Sequence, residues 1–415
     1  MTDTSNRVSQ LYRRHLSGGR ARLAEMLGGH IEVESRGAWL YMSNGERYLN
    51  AGGYGVFLTG ARHPIVMAHV EQQLHTHPVA SRLFFEPMAA RAAELLTATT
   101  PDGLNRVHFS SSGAEATEAA IKIARLNGRG HLISMVGGYH GKTMGALSVT
   151  AKSVFQDPFR PLLPDVTHVP YNDSAALEQA LIAHPESACV ILEPVQAEAG
   201  VIIPAPGYLR EVRDLCTRWG ALLVLDEIQT GLGRVGAWWG ANREEVTPDI
   251  LLSGKGLGGG VLPVSATITS DRVFAVLDRD PLLHTSTFSS APITMAAACG
   301  AILAIHEEGL VQRAATIGEQ ILPELRRITD NYLAGHGCSV RGTGLLIGVD
   351  IADPGLAGEL LLDLVGKNVV GNLSLNSDHV LRFTPPAILT DAEIEFFLER
   401  YARAAEATAV RNPEK

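Results

Sequence analysis

Cysteine is scarce in this sequence, four in 415 residues. Cys189, Cys216, Cys299 and Cys338 stand far apart with no Cys-x-x-Cys spacing, which excludes a disulfide framework and a thiolate zinc site. Reduced thiols in a cytoplasm are the expected state. No apolar run reaches the roughly 18 residues that a membrane span requires, and none follows Arg13, Arg14 and His15 as it would in an export signal. Lysine and arginine dominate no segment and the formal charge is −9, so neither nucleic acid nor an anionic membrane is an expected partner. Repeats and low-complexity tracts are also missing, which speaks against a flexible multidomain chain.

What is present is a 46% hydrophobic composition, 42 glycines and more length than one ordinary compact domain uses. Residues 1–50 begin as a polar arm and continue as strand-like pieces at 31–34 and 38–41, followed by the Asn44-Gly45 turn signal. Residues 51–290 open on a glycine-rich stretch with helical patterns at 67–74 and 88–97. Apolar strands at 107–109, 131–136, 188–192, 221–225 and 250–253 then alternate with helices, the signature of a mostly parallel α/β sheet. Residues 291–415 mix a long alanine-rich helix to about residue 307 with strands near 340–351 and 380–383, the pattern of a smaller α+β domain.

The strand at 221–225 is apolar throughout, as a strand buried on both faces must be, and it ends in Asp226, Glu227 and the turn Gln229-Thr-Gly231-Leu-Gly233-Arg234. Ligands of open α/β sheets bind beyond the carboxyl ends of the strands, where Asp226 falls and where the strand at 250–253 delivers Lys255. The two charges form either an ion pair or contacts to opposite ends of one bound cofactor.

Other motifs meet the same edge. Ser112-Gly113-Ala114-Glu115 follows a strand and opens the helix at 116–125, so it is either a phosphate cradle or a plain capping box. Gly137 to Thr143 ends like a nucleotide P-loop, but the first glycine of that motif would be Val136, and the match fails. Tyr139 and His140 are then surfaces for a flat ligand, or packing. Gly254 to Gly259 satisfies the dinucleotide fingerprint literally, yet the chain continues as another strand at 260–269 where that fingerprint needs a helix. Glu193 and Glu198 end the strand at 188–192. No histidine stands at ligand spacing from these acids and Lys255 would repel a cation, so no metal is expected. Arg382 interrupts an apolar strand, either paired internally or awaiting a substrate carboxylate. A phosphate cradle, an aromatic face, a buried aspartate and a strand-end lysine together suit a flat, phosphorylated, cationic heterocycle that forms an imine, and pyridoxal 5′-phosphate has those properties.

With these stretches in order, and with His284 to Phe288 after them, the sequence resembles the class III aminotransferases of pyridoxal phosphate fold type I over nearly the whole chain. Gly52 to Phe57 and the run around Arg382 are most similar to the diamine and ornithine-type ω-aminotransferases. The resemblance implies an α/β fold with a seven-stranded-type, mostly parallel sheet flanked by helices in a large domain, and a smaller α+β domain built from the two termini.

It further implies Lys255 as the imine-forming lysine and proton carrier, with Asp226 on the ring nitrogen and Gln229 on the phenolic oxygen. Tyr139 stacks on the ring, Ser112, Gly113 and Ala114 take the phosphate, and Thr287 reaches it from the other subunit of a homodimer. His140 and Glu193 complete the cofactor set; Glu198, Arg382, Tyr54 and Phe57 face the substrate. Two departures stand out: Ser289-Ser290-Ala291-Pro292 replaces the usual Gly-Gly-Asn-Pro, and glycines flank Lys255 where alanine or serine is commoner. The implied reaction moves an amino group between an amine or ω-amino acid and a 2-oxo acid or aldehyde, with glutamate/2-oxoglutarate or alanine/pyruvate as one pair. An aminomutase or a decarboxylating aminotransferase on the same scaffold is the nearest alternative, and a non-catalytic binding protein is the alternative of another class.

Overall fold

The computed structural model describes residues 3–413. A seven-stranded sheet runs in the spatial order Arg106–Ser110, Ser265–Thr269, Ile250–Ser253, Leu222–Asp226, Ala188–Leu192, His131–Met135, Val166–Val169. Ser265–Thr269 is antiparallel to both its neighbours and the remaining pairs are parallel. Every residue of Ala188–Leu192, Leu222–Asp226 and Ile250–Ser253 is buried, which explains why these segments read as unbroken apolar runs. Their register, Leu192 opposite Leu225 and Asp226 opposite Leu252, brings Glu193, Asp226 and Lys255 out at one edge.

The expected elements lengthen at their ends. The helices are Pro64–Thr76, Pro87–Thr97 and Gly113–Leu126, the first two opened by a proline that needs no hydrogen-bond partner for its nitrogen. The expected strand at 260–269 is confined to Ser265–Thr269, because the glycines before it form a short 3-10 turn, Lys255–Gly258, and a further turn. The polar arm is a correction: Asp3–His15 and Gly18–Met26 are helices. Few apolar residues mark them, and they are held by polar contacts instead. Arg13 pairs with Glu25, which also accepts from Ser9, and Ser17 caps the second helix. The strand Val166–Val169 was also unmarked, since an edge strand reading Val-Thr-His-Val has little apolar signal.

Two smaller sheets carry the rest. Glu32–Arg36, Trp39–Met42 and Arg47–Asn50 form a meander that Val369–Val370 extends in parallel, so the two ends of the chain share one sheet. Trp39 Nε1 donates to Glu393 Oε1 at 2.6 Å, and its ring meets Phe396 edge-on. The third sheet orders Ser339–Thr343, Leu346–Asp350, Val380–Phe383 and Asn372–Leu373. Among the described residues, no single helix is long and apolar enough to cross a membrane. One bent pair, Pro292–Glu307 with the helical stretch 310–336, passes that test only jointly, across a 62° bend. Nearly all of the apolar surface of Pro292–Glu307 is buried within the protein.

Arg234 joins distant parts of the chain. Fully buried, its guanidinium donates to the carbonyls of Leu345 and Pro385 in the C-terminal part and of Gly55 in the N-terminal turn. Arg234→Leu strips three buried carbonyls of their donor, and equilibrium denaturation is expected to show a loss of about 2–5 kcal/mol.

Candidate active site

The strands deliver their ends into a cavity of about 310 Å³. Asp226, Lys255, Gln229, Tyr139, His140, Gly113, Ala114, Glu193, Glu198 and Tyr54 all line it. Ser112 stands at its edge as the N-cap of Gly113–Leu126, its Oγ accepting from Glu115 N–H at 3.3 Å. The capping contact is therefore present, and the helix N-terminus opens into the cavity as well. Gly113 allows this approach, because a Cβ there would lie 2.9 Å from the Ile228 side chain.

Asp226 and Lys255 form no ion pair. The Asp226 carboxylate is oriented by His140 Nδ1 at 2.7 Å from Oδ2 and by the Ile228 N–H at 3.1 Å from Oδ1. His140 is fully buried as a side chain, and its Nε2 has no hydrogen-bond partner. Lys255 is partly buried, its side chain has no hydrogen bond or ion pair to a described residue, and its backbone is left-handed at φ 44°. Burial holds its pKa below the ordinary lysine value; Arg382 acts in the same direction, while Glu198, Asp226 and Glu193 oppose.

Gln229 is the clearest anomaly. Both its amide oxygen and its amide nitrogen are buried without a partner, an arrangement that costs stability unless something else satisfies them. The turn Gly53–Gly55 closes over it: a Cβ at Gly55 would stand 2.1 Å from Gln229 Nε2, so only glycine fits there. The same turn carries Tyr54 at φ 50°, a strained conformation for a tyrosine, with more than half of its surface exposed.

Tyr139 donates its N–H to Glu193 Oε1 at 3.0 Å, and Ala197 N–H donates to Oε2 at 3.1 Å. Burial nonetheless pushes the Glu193 carboxyl up to about 7; His140 and these N–H groups pull it down, and Asp226 adds to the rise. Tyr139 is raised as well, by burial first and then by Glu198. Glu198 and Arg382, both buried, meet at 2.7 Å between Oε1 and Nη1. That contact is ionic and not an aligned hydrogen bond, since no guanidinium nitrogen of Arg382 has a hydrogen-bond partner. The second Glu198 oxygen accepts from Leu375 N–H at 2.8 Å.

Arg382 does not itself line the cavity and meets it only through Glu198; two further residues lie elsewhere. The Phe57 ring packs under Gly53 and Gly260 and is not among the cavity-lining residues. Thr287 is exposed in a loop held by Arg82 on the Ser286 carbonyl and is not among the residues lining the cavity of its own chain. Ser290, one of the two serines noted as a departure from the resembled pattern, adopts the left-handed φ of 59° that glycine favours. Gly256 has room for a Cβ, at ordinary contact distance from Leu232 and Leu58. Leu375, Lys142 and Ile228 line the cavity without having been singled out in sequence. Leu375 belongs to the C-terminal part and carries no motif signal.

A seven-stranded, mostly parallel sheet with these groups at its carboxyl edge is that of the pyridoxal phosphate enzymes of fold type I. The class III aminotransferase profile matches residues 25–405, and the chain belongs to that family. An ornithine aminotransferase from Toxoplasma gondii ME49 is 31% identical, over 92% of each chain, with a TM-score of 0.87, and has also been crystallised with pyridoxal phosphate at partial occupancy in its active site. A transaminase from the marine bacterium Virgibacillus is 26% identical, covering 97% of this chain and 99% of its own, with a TM-score of 0.90. The ω-transaminase of Pseudomonas jessenii, solved with PMP, is 26% identical over 94% and 95% of the two chains, with a TM-score of 0.87.

The protein is a pyridoxal phosphate-dependent aminotransferase. Its own residues fit that cofactor: the partnerless Gln229 amide, the free His140 Nε2, the unpaired Lys255 and the open helix N-terminus all face or border one cavity.

The Glu193 shift has a stability consequence. A carboxyl whose folded pKa is raised from 4.5 to about 7 binds its proton more tightly folded than unfolded, so stability falls as pH climbs through that window and is level above it. In cofactor-free protein, Glu193→Gln is expected to remove on the order of 2–4 kcal/mol of that decline. Urea denaturation at pH 4.5 and pH 8 checks it; identical pH slopes in the two proteins would refute the assignment.

Proposed function

We propose that this aminotransferase moves an amino group between an amine or ω-amino acid and a 2-oxo acid or aldehyde, with glutamate/2-oxoglutarate or alanine/pyruvate as one pair. The observation that supports this pairing of unlike substrates is the buried Glu198–Arg382 contact at the cavity wall. Closed, it presents no net charge to an amine; opened, it frees a guanidinium for the carboxylate of an amino acid. The relatives named for ornithine and for ω-transamination point the same way.

Pyridoxal phosphate, when bound, supplies the electron sink that stabilises the negative charge left as a substrate C–H bond breaks. Lys255 Nζ takes that proton and returns it, a role that burial supports by favouring its neutral form. Asp226, oriented by His140, holds the ring nitrogen protonated. Gln229 satisfies its amide on the phenolic oxygen, and Tyr139 offers its ring as a flat face over a floor that Glu193 fixes. Ser112, Gly113 and Ala114 bind the phosphate through the helix N-terminus. Tyr54 bounds the substrate side, with Phe57 shaping it from beneath the turn. Thr287 acts in the partner's site within a homodimer, a reading supported by its absence from the lining of its own cavity and by the exposed Leu83, Phe84, Phe85, Leu282 and Phe288 in the same or neighbouring loops. Free thiols, three of them buried, support a reducing cytoplasm.

Lys255→Ala is expected to abolish turnover, a loss of at least roughly 10³-fold, while still binding cofactor without a covalent link. Asp226→Ala should cripple catalysis far more than Asp226→Glu; equal activity in the two would sink the ring-nitrogen role. Stopped-flow absorbance across a panel of amines and amino acids identifies the donors. Glu198→Ala should change the ratio of amine to amino-acid half-reaction rates, and an unchanged ratio would count against the Glu198–Arg382 reading.

A further inference from the structure

A turn from the C-terminal part of the chain is fastened to Glu198. The turn spans residues 374–377, closed by Ser377 N–H on the Ser374 carbonyl at 3.2 Å and tied back by Ser374 N–H on the Val380 carbonyl at 2.9 Å. Leu375 N–H holds the Glu198 carboxylate at 2.8 Å, and Asn376 N–H holds the Glu198 main-chain carbonyl at 2.9 Å. The Asn376 side chain fixes the turn on its other side, its Nδ2 donating to the Gly137 carbonyl at 2.7 Å and the Gly138 carbonyl at 3.2 Å, just before Tyr139. Lys152 Nζ adds a bond to the Asn376 carbonyl at 2.9 Å. Asn376 is buried, and its Oδ1 has no partner, so the donating end alone anchors it.

The carboxylate of Glu198 can swing from Arg382 only by giving up the Leu375 N–H or by moving the turn with it. We infer that the 374–377 turn is a latch that holds Glu198 on Arg382, and that Asn376, which pins the turn to the Gly137–Gly138 segment, is a positioning residue setting how readily the site admits a carboxylate-bearing substrate. The inference rests on the proposed opening of the Glu198–Arg382 pair. It gives the wild-type protein a bias toward substrates without a carboxylate near Arg382. Leu375, whose side chain lines the cavity beside Glu198, moves with the latch.

The test compares wild-type, Asn376→Ala and Glu198→Gln proteins. Calorimetry measures the Kd of glutarate, an unreactive dicarboxylate, for the cofactor-free forms; steady-state kinetics of the holoenzymes measure KM and kcat for L-glutamate, and thermal unfolding monitors integrity. Loss of one anchoring residue is expected to tighten glutarate binding and lower the glutamate KM by roughly fivefold, the scale of one hydrogen bond, with kcat little changed. Glu198→Gln should tighten glutarate at least as much. If Glu198→Gln tightens binding and Asn376→Ala does not, the latch is overturned and the pair reading stands. If neither does, both fall. A purely structural Asn376 would instead lower the melting temperature and kcat together, with KM and Kd unmoved, and that result also overturns the latch.

Discussion

The burial of charge at the carboxyl edge of the central sheet is the constraint on which this molecule depends. Glu193, Glu198, Asp226 and a partly buried Lys255 line one cavity, and the buried Arg382 meets it through Glu198. Ionised groups removed from water are costly unless paired. Each of the other four has found an answer: two backbone N–H groups for Glu193, His140 and Ile228 N–H for Asp226, and mutual contact for Glu198 and Arg382. Lys255 alone is left without a partner. For a lysine that answers the problem differently, since desolvation favours the neutral amine, which is the form able to attack a carbonyl or accept a proton.

Meeting that constraint takes contributions from distant parts of the chain. The Gly53–Gly55 turn closes on Gln229, and Arg234 fastens that turn to the carbonyls around Leu345 and Pro385. Tyr54 and Lys255 both sit in left-handed backbone that non-glycine residues avoid. Such conformations persist where the surroundings over-determine them. Here the surroundings are the turn's packing on one side and the buried strand end on the other. Rigidity at the cavity is thus a property of contacts between distant segments of the chain, and not of the sheet by itself.

The legible parts of the sequence were those whose structural reason is local. Strands buried on both faces must be apolar at every position, so 188–192 and 221–225 announced themselves, and so did the charged residues that ended them. The spacing of Asp226 and Gln229 was visible because both belong to one strand–turn unit. Arg382 was visible as a charge inside an apolar strand, and the structure pairs it with Glu198. The two N-terminal helices were hidden because polar contacts, not an apolar stripe, hold them. The edge strand at 166–169 was hidden for the reason that edges are mixed in composition. Leu375 and Asn376 gave no signal at all: their contacts run through backbone groups to Glu198 and to Gly137, partners 177 and 239 positions away.

That division between local and long-range carries an argument about specificity. The helix N-terminus, Asp226, Gln229 and Lys255 are set by the sheet and its immediate turns, so short motifs capture them, and the proposed reading gives that end of the cavity to the cofactor. The lining is completed by Tyr54 of the N-terminal turn, Glu198 of the sheet edge and Leu375 of the C-terminal part. No short stretch of sequence encodes that part of the lining. Solved structures at 26–31% identity accordingly include one named for ornithine and others named only as transaminases. A change in the loop around residues 374–377 alters the lining without touching any motif residue. On this view, substrate choice in the protein is a property of how the C-terminal lobe grips Glu198, and cofactor choice is a property of the sheet.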